Sequence, residues 1–253
     1  GAINGVAPVA APVIGGLLTG SVGWQGIFMI LLFIGILLGI GCIRFKESLP
    51  AEKRSKTGVW ATFRSFGIIV HNRRYMLYVF QLAFAQGILF AYIASSPFII
   101  QQHYGFSPFA FSICFAVNAV AIGVAAALSV KFRRTENGTL TGCVGMLVFA
   151  VLQMAALYSG CGFWTYELLM FALLFMMGLT FTASTTLAMD CERRYAGAAS
   201  ALLGALCFAS GGIVSPLVGL GDILISTGVT FVICAVCSLL CALWAVKRTG
   251  PKV

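Results

Sequence analysis

Residues 75–99 read YMLYVFQLAFAQGILFAYIASSPFI, and no Asp, Glu, Lys, Arg or His interrupts them. A helix crossing the hydrocarbon core of a membrane needs about 20 mostly apolar residues, and this run supplies them. Arg73 and Arg74 end it on the N-terminal side. A transmembrane strand would show a short dyad repeat, which a continuous apolar run does not. The stretch therefore predicts one membrane-spanning helix. The pattern recurs over 2–20, 25–43, 108–130, 139–159, 164–189, 196–220 and 224–246. An all-α polytopic membrane protein with eight transmembrane helices is the fold class expected.

Composition agrees. Of 253 residues, 60% are hydrophobic and 9% charged, and the mean hydropathy is +1.00. That leaves too little polar surface to cover a water-soluble monomer. An ordinary soluble enzyme, a nucleic-acid-binding module and a disordered regulator are excluded. The net charge of +9 is scattered between apolar runs and makes no basic face for a nucleic acid.

The positive charges fix an orientation. All sixteen Lys and Arg fall in 44–74, 131–134, 193–194 and 247–252, whereas the alternate loops near 21–24, 100–107, 160–163 and 221–223 hold none. By the positive-inside rule both termini and the 44–74 loop are expected to be cytoplasmic. Within that loop, residues 59–70 read as an amphipathic helix on the membrane surface. Ser107 followed by Pro108 predicts a capped helix start, and Gly160–Gly162 and Gly219–Asp222 predict tight turns. Trp24, Tyr158, Trp164 and Tyr166 fall at outer boundaries and read as lipid anchors. With no initiator Met and no basic leader before the first apolar run, Gly1 is expected to be a cut point in a longer chain and not the start of a signal peptide.

Catalysis has little support. His71 and His103 fall in predicted loops, and no Ser/His/Asp or Cys/His constellation accompanies them. The nine cysteines mostly sit in apolar runs as small hydrophobes. Cys234, Cys237 and Cys241 have helical spacing but no His nearby, so neither a metal nor another cofactor is expected.

Pro12-Val13-Ile14-Gly15-Gly16, then Trp24 and Phe28, then Glu47-Ser48-Leu49-Pro50, resemble the fifth and sixth helices of a major facilitator superfamily drug:proton antiporter. Ser96-Pro97-Phe98 and Ala196-Gly197-Ala198-Ala199-Ser200-Ala201 extend the resemblance, which is to the bicyclomycin-resistance (Bcr/CflA) type. It implies a partial major facilitator fold lacking its first four helices. Residues 1–43 would be the last two helices of the N-terminal bundle, 44–74 the central loop, and 75–253 the six-helix C-terminal bundle. It implies export of small amphipathic drugs against protons, from the inner membrane of a bacterium. It also assigns Pro12, Gly15 and Gly16 to the antiporter motif between bundles. Pro8 lies one turn before Pro12 on the same small-residue side, which suits close helix packing; Ala7 and Ala11 stand where that family usually has glycine.

Polar side chains inside spans usually face a bundle interior or a water-filled cavity. Gln81, Ala85, Ile88, Tyr92 and Ser95 fall on one face, within about 40° of Gln81 on a helical wheel. With Asn118, Gln153, Thr180 and Ser184 they are the candidates for a substrate cavity. Ser200, Gly204, Cys207, Gly211 and Ser215 make a small-residue stripe, read as helix packing. No acid or base stands mid-span, and Glu167 falls near an outer boundary. A proton-coupling residue is therefore expected in the absent N-terminal helices. The expected partners are a small drug-like solute, protons and membrane lipid, with no nucleic acid. An exporter of sugars or metabolites, or a stand-alone eight-span structural subunit, would share much of this pattern.

Overall fold

The structure is a computed structural model that describes residues 2–45 and 59–247; for 2–13, 16, 17, 19 and 59–64 only the helical backbone is described. Every apolar run lies on a helix, 2–20 and 25–43 on the same one, and the amphipathic segment 59–70 forms one more of the eight helices. In order they are α1 (Ala2–Arg44), α2 (Val59–His71), α3 (Arg73–Pro97), α4 (Pro108–Ser129), α5 (Thr135–Tyr158), α6 (Phe163–Cys191), α7 (Ala196–Leu217) and α8 (Ile223–Lys247). Among the described residues, seven helices are long and apolar enough to cross a membrane, the first of them counted from Gly20. The molecule is an all-helical, multi-pass membrane protein.

The predicted boundary at 21–24 is a kink, not a loop. Helix α1 runs through it and leaves helical geometry at Gly23, with φ 66° and ψ 179°. Positive φ is open to glycine at no steric cost. Gly26 completes the bend, because a Cβ there would stand 2.6 Å from the Cβ of Val22.

Local chemistry sets the other ends. Asn72 caps α3 by accepting from the amides of Arg74 and Tyr75, both at 3.2 Å. Pro97, without an N–H, closes α3, and the chain widens into a π-helical turn over Phe98–His103, a common adjustment where the regular ladder is broken. Ser107 caps α4 through the amide of Ala110 at 3.2 Å, as its pairing with Pro108 predicts. Asp222 caps α8, accepting from Leu224 and Ile225 at 2.8 and 3.1 Å. His71 and His103 stand at helix ends and not in loops.

Four helices close a ring: α3 packs on α8, α8 on α5, α5 on α6, and α6 back on α3. Helix α7 adds to the outside of α3, α4 to the outside of α6, and α1 to α4. The main core fills this ring, with Ile88, Tyr92, Met146, Met170, Met177 and Phe231 within it. Backbones approach closely where side chains vanish. A Cβ on Gly178 would stand 2.5 Å from the carbonyl of Ile122 on α4, and one on Gly142 would stand 2.8 Å from that of Met176. Such close approach lets lipid-buried helices gain dispersion and polar contacts.

Two smaller clusters close the ends. At the basic end Ile69 of α2 is buried with Tyr75, Tyr78, Leu187, Ala199 and Ala245. At the end without Lys or Arg, Ile99, Ile100, Leu157 and Tyr166 meet. Tyr166 is therefore not a lipid anchor: it is fully buried, with its ring 5.7 Å from that of Tyr104. Trp24, Tyr158 and Trp164 are exposed.

Candidate functional site

The polar side chains of the spans meet inside the bundle. On α3, the face containing Gln81, Ile88, Tyr92 and Ser95 is fully buried. Gln81 Nε2 donates to Ser238 Oγ of α8 at 3.2 Å and to Cys143 Sγ of α5 at 3.5 Å. Ser238 Oγ returns a bond to the Gln81 carbonyl at 3.1 Å. One turn nearer the basic end of α5, Thr139 and Ser184 of α6 share a hydroxyl bond of 3.1 Å.

A second focus lies towards the end without Lys or Arg. Asn118 Nδ2 of α4 donates to Tyr92 Oη at 3.0 Å and to Glu167 Oε1 of α6 at 2.8 Å. The Tyr92 ring stacks on Phe115, 5.3 Å between centroids and 18° between planes. Beyond the helix ends, Tyr104 donates to the Cys161 carbonyl at 2.9 Å. Burial first, and then the contact of its hydroxyl with the Cys161 thiol, push the Tyr104 phenol above its ordinary pKa.

The remaining candidates stand apart from these foci. Ser95 donates to Ala91 O and Thr180 to Met177 O, both at 2.8 Å within their own helices. Gln153 is fully buried, and neither of its amide atoms has a partner among the described residues. Ile88 is part of the ring core. None of the eight cavity candidates lines either of two surface hollows, one bordered by Val70, Arg73, Phe80 and Trp244, the other by Ile113, Val117, Val120 and Phe171. For Pro8, Pro12 and Gly16 only the helical backbone is described. Gly15 is half-buried, and a Cβ on it would meet nothing within 4 Å. In the α7 stripe Cys207 and Gly211 are buried, Gly211 under the ring of Phe90, while Ser200 is exposed.

Glu167, Thr139 and Ser238 are the members that sequence reasoning missed. Helical spacing places Glu167 on the face of Met170, Leu174 and Met177, all buried. That spacing is a usable signal, but a position near a helix end argues the other way. Asp190 pairs with exposed Arg193 at 2.9 Å, whereas Glu192 accepts instead from Asn72 Nδ2 at 2.6 Å.

Comparison with known proteins accounts for this architecture. The chain is 37% identical over 227 residues to YdgK of Bacillus subtilis (strain 168), an uncharacterized MFS-type transporter, covering 87% of this chain and 56% of that protein. It is 28% identical over 227 residues to a bicyclomycin resistance protein homolog of Haemophilus influenzae, covering 84% of this chain and 54% of that one. A shorter stretch of 108 residues, 43% of this chain and 26% of the relative, is 29% identical to the multidrug transporter MdfA of Yersinia pestis bv. Antiqua (strain Angola). The chain thus spans about half the length of the first two relatives. Residues 1–216, well over half of the chain, match the family profile of the Major Facilitator Superfamily, and the chain belongs to that superfamily.

Proposed function

We propose that this chain is the fifth to twelfth helices of a Bcr/CflA-type exporter that moves small amphipathic drugs out of a bacterial cell against a proton gradient. The observation that carries this reading is the 227-residue similarity to a bicyclomycin resistance protein homolog. The similarity to a multidrug transporter over 108 residues supports it. The mechanism is alternating access, in which two six-helix bundles rock about a midplane site. Helices α3–α8 are one bundle, and α1 completes the other with its two legs on either side of Gly23. The protein sits in the inner membrane with the basic end in the cytoplasm. Pro8, Pro12, Gly15 and Gly16 pack one bundle on the other.

Gln81, Ile88, Tyr92, Ser95, Asn118, Gln153, Thr180 and Ser184 bear on substrate preference as the inner lining of the bundle. They are buried here, so their access to a solute requires a state in which α3 has moved. Dye efflux from cells expressing the full-length protein tests the reading. Efflux that stops when an ionophore collapses the proton gradient is expected; efflux that persists would refute antiport.

A further inference from the structure

Glu167 stands in the second turn of α6, and its carboxylate points into the bundle. Oε1 accepts from Asn118 Nδ2 at 2.8 Å, while Oε2 is buried with no partner among the described residues. Asn118 is fully buried, and its Oδ1 is likewise unpartnered. Tyr166 Oη, on the neighbouring residue of α6, is also buried and has no partner among the described residues. Native interiors leave few such atoms, and each calls for a physical explanation.

Among the described residues, nothing beside Glu167 balances a negative charge. Tyr92 faces Glu167 from α3 and Cys114 from α4, and Tyr166 adjoins it on α6. Over residues 150–158 of α5 the one titratable side chain is Tyr158, which is exposed. Helix α1, packed on α4, carries no Asp, Glu, His or Lys, and its single Arg is the terminal Arg44. An isolated charge taken into a low-dielectric interior is expensive unless paired. In the ionised state, Glu167 Oε2 and Asn118 Oδ1 are both acceptors only. One proton cancels the charge and turns Oε2 into a donor.

We propose that Glu167 is a reversible proton-binding site between α3, α4 and α6, with Asn118 as the positioning residue that links its charge to Tyr92. The step needs no co-reactant. Oε2 takes a proton from hydronium, leaving water, and returns it in the reverse direction. Because one amide group holds both Glu167 and Tyr92, a change in charge at α6 alters a bond to α3. The proposal goes beyond drug export and does not depend on what the solute is.

Infrared difference spectra between acidic and alkaline buffer test it, using the full-length protein in lipid nanodiscs with and without carbon-13-labelled glutamate. The expected result is a protonated-carboxyl C=O signal that moves with the label, of which one component is lost in Glu167→Gln and shifts in Asn118→Ala. A label-sensitive C=O signal that is the same in Glu167→Gln as in the wild-type protein overturns the proposal. So does the absence of any label-sensitive C=O band from the wild-type protein across the pH range, a result that needs no variant to fold. Efflux is not part of the readout, so the proton site and the export reading fail separately.

Discussion

A single amide at Gln81 joins three helices, since its Nε2 reaches α5 and α8 while its backbone belongs to α3. Removing one member of such a buried set leaves the others unsatisfied, at about 1–3 kcal/mol each. Ser238→Ala is therefore expected to destabilise the protein by about 1–3 kcal/mol, measured by thermal unfolding in detergent. Gln81→Ala and Ser238→Ala together should lose less than the sum of the two alone, because they break the same bonds. Full additivity would show that the bonds do not couple. Gln81 and Tyr92 were legible in the sequence as polar residues sharing one helix face. Their partners were not, since nothing in a linear pattern says that residue 81 meets residue 238. Glu167 is an intermediate case: spacing puts it on the face of α6 that carries Met170, Leu174 and Met177, but the bond to Asn118 of α4 is a property of assembly.

Helix ends and helix contacts were the most readable level. Ser107-Pro108, Gly160 and Asp222 do locally what their chemistry dictates, because a cap depends on residues only a few positions away. The bend in α1 was readable as a boundary but not as a kink, since Gly23 supplies the positive φ without a loop. Close helix contacts give a contrast that can be measured. Gly178→Ala would push a methyl group into the α4 backbone, and overpacking of this kind costs about 1–3 kcal/mol. A methyl group on Gly204 of α7 would meet nothing within 4 Å, so Gly204→Ala should raise stability by about 0.4–1 kcal/mol through lower unfolded-chain entropy. Equal effects at the two sites in a thermal assay would contradict the packing described. At the start of α3, Asn72→Ser keeps the cap but loses the bond to Glu192, at about 1.5–3 kcal/mol. Asn72→Asp also keeps the cap yet sets a second carboxylate against Glu192, and should be the less stable of the two. Glu192→Gln in the same chain should recover part of that difference.

Across the whole molecule, charge sorting was readable before any coordinate, because every Lys and Arg sits in alternate segments and cytoplasmic loops carry the excess. Green fluorescent protein fused after Val253 should fluoresce, and alkaline phosphatase fused at Ser159 should be active; the reverse pattern would invert the orientation. The ring of α3, α8, α5 and α6 was not readable, because helices equally apolar all round carry no mark of their neighbours. That ring also has an order in time. A ribosome releases residue 72 long before residues 191 and 192, and residue 81 before 238. Helix α3 enters the bilayer with its cap formed while the donor arm of Asn72 and the amide of Gln81 still wait for chain not yet made. The first long helix of the bundle is thus completed by its last, and a ribosome stalled before α8 would leave Gln81 open to whatever hydrogen-bonding neighbour the membrane or its insertion machinery provides.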